Sequence, residues 1–140
     1  MTQEDKELLL KDLCSRLPYG VKILHEGWNF EWDDELSTVE KVVGIDEDFI
    51  YTKVINTHNG EEYRDDKWPI DTFDDKLFLR PMSSMTDEQK SQYNFYLTRI
   101  VFAYDASLLI DWLNKNYFDY RGLIKKGLAI DATGLDVYDF

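Results

Sequence analysis

Between Val21 and Arg80 the sequence reads as strands, and on both sides of that block it reads as helix. This switch between a period near 3.6 and a period of two demands one sheet flanked by helices. Val21-Lys22-Ile23-Leu24 opens the block, and Trp28-Asn29-Phe30-Glu31-Trp32 alternates strictly, with three aromatics on one face. Thr38 to Ile45 and Phe49 to Ile55 are rich in Val, Ile, Thr and aromatics. The short Gly44–Asp48 stretch between them suits antiparallel neighbours. Asn59-Gly60 predicts a type I′ hairpin that folds Tyr51–Asn56 back on a short strand around Glu61–Tyr63. Trp68-Pro69-Ile70 and Lys76–Leu79 are weaker strands, and Pro69 demotes the first to an edge. The expected product is a curled antiparallel sheet or small open barrel of five or six short strands.

The flanks carry clear helix punctuation. Thr2 with Asp5 reads as a capping box for a helix over 3–16, with Leu9, Leu10, Leu13 and Leu17 at helical spacing. Leu17-Pro18-Tyr19-Gly20 ends that helix. Cys14 lies beside the apolar stripe and reads as a packed thiol, since nothing local would lower its pKa. Thr86 with Gln89 is a second capping box, behind Arg80-Pro81, which ends the last strand. Tyr93, Tyr96, Leu97, Ile100, Val101 and Tyr104 form one stripe on a helix of about 87–103. A second helix is expected over 107–116, and a third, capped by Asp119 and closed by Gly127, over 120–126. The tail from Asp131 shows no period. The fold class expected is α+β in one domain over 1–140, with the helical C-terminal region packed on the sheet.

Charge narrows the function. The chain carries 28 Asp and Glu against 16 Lys and Arg, a net −12. Residues 21–80 hold sixteen of those acids and seven bases, net −9. Such a field repels nucleic acid and anionic membranes and favours a basic protein partner or plain solubility. Asp33, Asp34, Asp65 and Asp66, at expected turns, are the candidate contacts for a basic partner. Arg80, Ser83 and Ser84, in the strand-to-helix connector, form a second candidate contact. No apolar run approaches the roughly 18 residues of a membrane span. The N-terminus lacks a secretory h-region, and the lone Cys14 excludes an intramolecular disulfide, so a cytoplasmic setting is expected.

Catalytic signatures are missing from the sequence. Ser83 and Ser84 sit in neither a G-x-S-x-G elbow nor an S-x-x-K. His25 and His58 are the only imidazoles, and no metal-ligand spacing joins them to Cys14. Asp46-Glu47-Asp48 and Asp71 with Asp74-Asp75 do not match an EF-hand loop. No phosphate-binding glycine loop occurs, and no cofactor is expected. Trp28, Phe30 and Trp32 suit either a core face or a stacking platform for a sugar or peptide.

"DLCSRLPYGVK", "LRPMSSMT", "DWLN" and "FDYRGLIKKGLA", in this order, resemble a group of short proteins encoded by phages and prophages of gut Bacteroides. The resemblance covers roughly 12–22 and 79–129. It implies a mobile-element origin and a bacterial cytoplasmic setting, with the two ends as a common frame and the acidic sheet as the variable part. It carries over no catalytic residue. The expected function is a non-enzymatic acidic binding or accessory protein acting through protein–protein contacts. The alternatives are an acidic mimic of nucleic acid that occupies a host defence or DNA-binding protein and, less favoured, a small metal-assisted hydrolase.

Overall fold

The computed structural model describes residues 1–29, 34–56 and 59–138. The chain runs α1 (Gln3–Arg16), β1 (Lys22–Asn29), β2 (Asp34–Ile45), β3 (Phe49–Ile55), β4 (Glu62–Pro69), β5 (Lys76–Leu79), α2 (Asp87–Leu97), α3 (Ala103–Lys115) and β6 (Ala129–Asp131). The class is α+β, and the six strands form one open sheet in the order β4-β3-β2-β1-β5-β6. β1 to β4 make an antiparallel meander. β5 pairs antiparallel with β1, while β6 pairs with β5 in parallel, so the sheet is mixed. β6 lies in the tail where the sequence shows no period; three residues are too few to display one. β4, which holds Pro69, is an edge strand as expected, but it extends well beyond Tyr63.

Both capping boxes form. Thr2 Oγ1 accepts from the Asp5 amide at 3.0 Å, and Thr86 Oγ1 accepts from the Gln89 amide at 3.2 Å. α1 lays Leu9 and Leu13 on one sheet face, against Ile23, Val42, Ile50, Leu77 and Leu79. Its inward face also carries Asp12 and Arg16, both fully buried. Cys14 is thereby rotated outward and is exposed, not packed. The second sheet face is smaller and holds Phe78, Ala132 and Tyr138.

Three further expectations are corrected. The helix expected over 87–103 stops at Leu97, and the next begins at Ala103. The Asp105 carboxylate accepts from the amides of Val101 and Phe102, at 3.1 and 2.9 Å, and so starts a new helix inside the apolar stripe. Residues 120–126 form turns, not a helix, because Gly122 takes a positive φ of 75°. Asp119 still caps them, accepting from the amides of Leu123 and Ile124. The β3–β4 connection is longer than a two-residue turn: Asn56 and Glu61 flank it, Gly60 has φ 74°, and Asn59 has no positive φ. The type I′ expectation needs both central residues at positive φ, so it fails.

Candidate docking surface

α2 and α3 form a helical hairpin with its own small core. Met85, Leu109, Leu113 and Phe118 are buried there, with Tyr93, Tyr96 and Trp112 packed around them. The far end of the hairpin is different. Of twelve exposed large hydrophobic side chains among the described residues, eight lie between Phe95 and Ile110. Val101, Phe102 and Tyr104 are 77%, 74% and 71% exposed. Leu97, Ile100 and Val101 belong to the stripe that a continuous helix would have buried. The break at Asp105 turns them outward instead. The two amide bonds that Asp105 accepts hold its carboxyl below the ordinary range, so the break is fixed by an ionised cap. Arg99 lies over the Phe95 ring, 3.8 Å from its centroid, and is the cation within this surface. A contiguous apolar surface of this kind marks an interaction site more often than scattered exposed residues do.

The residues singled out from sequence do not converge. Asp33 lies outside the described residues, as do Phe30, Trp32 and His58. Asp34 opens β2, in register with Asn29. Asp65 and Asp66 sit within edge strand β4 and not in turns, which corrects the expectation. Asp65 is exposed, 3.4 Å from the Lys53 ammonium, and Asp66 pairs with Arg64 at 2.9 Å. Arg80 is buried and cannot be a surface contact in this fold. Its guanidinium donates to Gln89 Oε1 at 3.2 Å and lies over the Phe118 ring, and burial lowers its pKa. Ser83 is exposed, and Ser84 Oγ donates back to the Pro81 carbonyl at 2.6 Å. Several other acids serve the chain locally. Asp46, for example, accepts from the amides of Asp48 and Phe49 in the β2–β3 turn.

One polar cluster has no sequence signal, because its members are dispersed along the chain. His25 Nδ1 is 2.7 Å from Asp75 Oδ2, and the imidazole stacks on Trp68 at 3.8 Å. Trp68 Nε1 donates to Glu40, which is fully buried and also accepts from the Thr38 and Thr52 hydroxyls. Burial raises the Asp75 pKa, and the His25 contact opposes that rise. An Asp-oriented imidazole is half of a nucleophile-activating arrangement, but no hydroxyl or thiol is hydrogen-bonded to His25 among the described residues. Those residues also contain no group of three or more His, Cys, Asp or Glu placed to hold a metal ion.

Comparison with protein-family models, curated proteins and solved structures found no match. No helix of the described residues is long and apolar enough to cross a membrane.

Proposed function

We propose that this chain is a non-enzymatic binding protein, of phage or prophage type, that docks a partner protein on the exposed end of the α2–α3 hairpin. The supporting observation is the concentration of exposed apolar side chains between Phe95 and Ile110, which includes two aromatics of the kind that anchor interfaces. The partner offers an apolar surface edged with basic side chains. Residues 86–111 carry four acids and two bases, within a chain of net −12. A second copy, or an anionic lipid surface, would bring like charge to the same place; a basic protein would be steered toward it. Mimicry of nucleic acid fits less well, because Asp46, Asp105 and Asp119 spend their carboxylates on caps and turns.

The test is an affinity pull-down from bacterial host lysate with the wild type and a Val101→Ser/Phe102→Ser variant, after circular dichroism shows both folded. The expected result is a basic partner held by the wild type and lost from the variant, with retention falling as salt rises. Equal capture by both chains overturns the surface assignment. Light scattering that shows a wild-type dimer and a variant monomer, or wild-type flotation with anionic vesicles, overturns the choice of partner.

A further inference from the structure

The second sheet face carries an arrangement that the docking surface does not use. In the register of β1, β2 and β3, Lys22 lies opposite Lys41, and Lys41 lies opposite Lys53. Three lysines therefore stand side by side across three neighbouring strands. Like charges directly opposite one another on adjacent strands are destabilising. In a chain with 28 acids and 16 bases, composition does not force such a row. Glu62 pairs with both Lys41 and Lys53, and Asp65 with Lys53, so these carboxylates all come from edge strand β4. Lys22, at the other end of the row, donates to the Val137 carbonyl at 2.5 Å and lies over the Tyr138 ring.

A cleft of about 640 Å³ opens at that end, lined by Lys22, Lys41, the Leu17–Gly20 turn, Tyr117 and Tyr138. Its walls are fixed. Tyr117 and Tyr138 stack at 3.7 Å, and the Tyr117 hydroxyl donates to the Tyr19 carbonyl. Tyr117 is the one non-glycine at positive φ, 61°, among the described residues. Such strain in a bulky residue collects at ligand sites more than elsewhere. Gly20 keeps the turn clear of Lys41: a Cβ there would sit 3.2 Å from Lys41 Cδ. Burial raises the pKa of both Tyr117 and Tyr138, so neither phenol brings negative charge into the cleft.

We propose that the Lys22–Lys41–Lys53 row and the adjoining cleft bind a small phosphorylated molecule of nucleotide size. The phosphate lies between the Lys22 and Lys41 ammonium groups and removes their mutual repulsion. The organic part fills the cleft against the Leu17–Tyr19 turn and the tyrosine stack. The volume falls within the usual range of small-molecule sites, roughly 300–1,000 Å³. Glu62 competes with the phosphate for Lys41, which makes the site weaker than its lysines alone would give.

The experiment is calorimetric titration of the full chain with adenosine 5′-monophosphate, inorganic pyrophosphate and adenosine at low salt. Both phosphate compounds should bind and adenosine should not. Lys41→Gln should weaken binding by tenfold or more, whereas Glu62→Gln, which frees Lys41, should tighten it severalfold. Lys115→Gln, on α3, should change nothing. Lys22→Gln should match Lys41→Gln; if it unfolds through loss of its Val137 tether, Lys41→Gln decides alone. Three results overturn the proposal: no phosphate compound binding with Kd below about 1 mM, Lys41→Gln binding like wild type, or adenosine binding as tightly as its monophosphate.

Discussion

Asp12→Ala should be among the most damaging single changes in this chain. Asp12 and Arg16 are both fully buried, one turn apart on α1. Asp12 accepts from Arg16 Nε at 2.8 Å and Nη2 at 3.2 Å, and from Arg121 Nη1 at 2.8 Å. Arg16 Nη2 also donates to the Phe118 carbonyl at 2.6 Å, which ties α1 to the segment after α3. Arg16 Nη1 already lacks a partner, so the guanidinium has no reserve when the carboxylate is removed. Leaving a buried charge uncompensated costs about 3–5 kcal/mol. Total stability for a domain is about 5–15 kcal/mol, so the loss takes a large share. For a chain of 140 residues this corresponds to a fall in Tm of roughly 10–15 °C. Replacing both partners with apolar residues of similar volume, Asp12→Leu with Arg16→Met, should recover most of the loss, because no buried charge then remains. Urea unfolding at neutral pH, followed by circular dichroism, measures the single and double variants as a cycle. Asp12→Ala within about 1 kcal/mol of wild type, or a double variant as unstable as the single, refutes the reasoning.

Other changes test other parts of the fold. Thr86→Ala removes the α2 cap and should cost about 0.5–2 kcal/mol in denaturant melts, whereas wild-type behaviour would mean the cap carries no load. Gly60→Val places a β-branched side chain at φ 74° and should destabilise beyond the usual surface range of about 0.5 kcal/mol, visible as a lower urea midpoint. Asp75→Asn tests pH linkage. Burial raises the Asp75 pKa in the folded state, so its favourable contribution is present below the unfolded value near 3.9 and is lost as pH rises through the folded value. The stability of Asp75→Asn relative to wild type should therefore be greater at pH 7 than at pH 4. The same difference at both pH values in urea melts would sink that assignment.

The parts of the fold that were legible in the sequence are those decided within a few residues. Thr2 and Thr86 find their partners three positions on, and the β2–β3 pair needs only the Gly44–Asp48 turn. What escaped needs distant partners. The inward turn of Asp12 and Arg16 makes sense only once Phe118 and Arg121 arrive from more than a hundred residues away. The break between α2 and α3 had a local signal in Asp105, three residues after Phe102, but the apolar stripe concealed it. Arg80 looked like a loop residue because the Phe118 ring that covers it is remote in sequence. The lysine row depends on register across two strand pairs, and a one-residue slip in either would send a lysine to the other face. The docking surface was visible as residues but misread as core.

The parallel pairing of β5 with β6 also orders the folding reaction in time. β1 to β4 meet only sequence neighbours, so their closure entropy is small and the meander forms early. β5 joins β1 across the whole meander, and β6 joins β5 only after both helices have been made. The Tyr138 hydroxyl then accepts from the Lys22 amide at 2.6 Å, a contact spanning 116 positions. Chains emerging from a ribosome would therefore hold a formed meander with one apolar face still uncovered on the β1 side until Leu123 to Ala129 arrive. Pulsed amide exchange during refolding should show β2 and β3 protected before β5; simultaneous protection would place the long-range pairing in the nucleus instead. The interval between those two events is when this acidic chain is most open to aggregation, and its net charge of −12 opposes self-association during that wait.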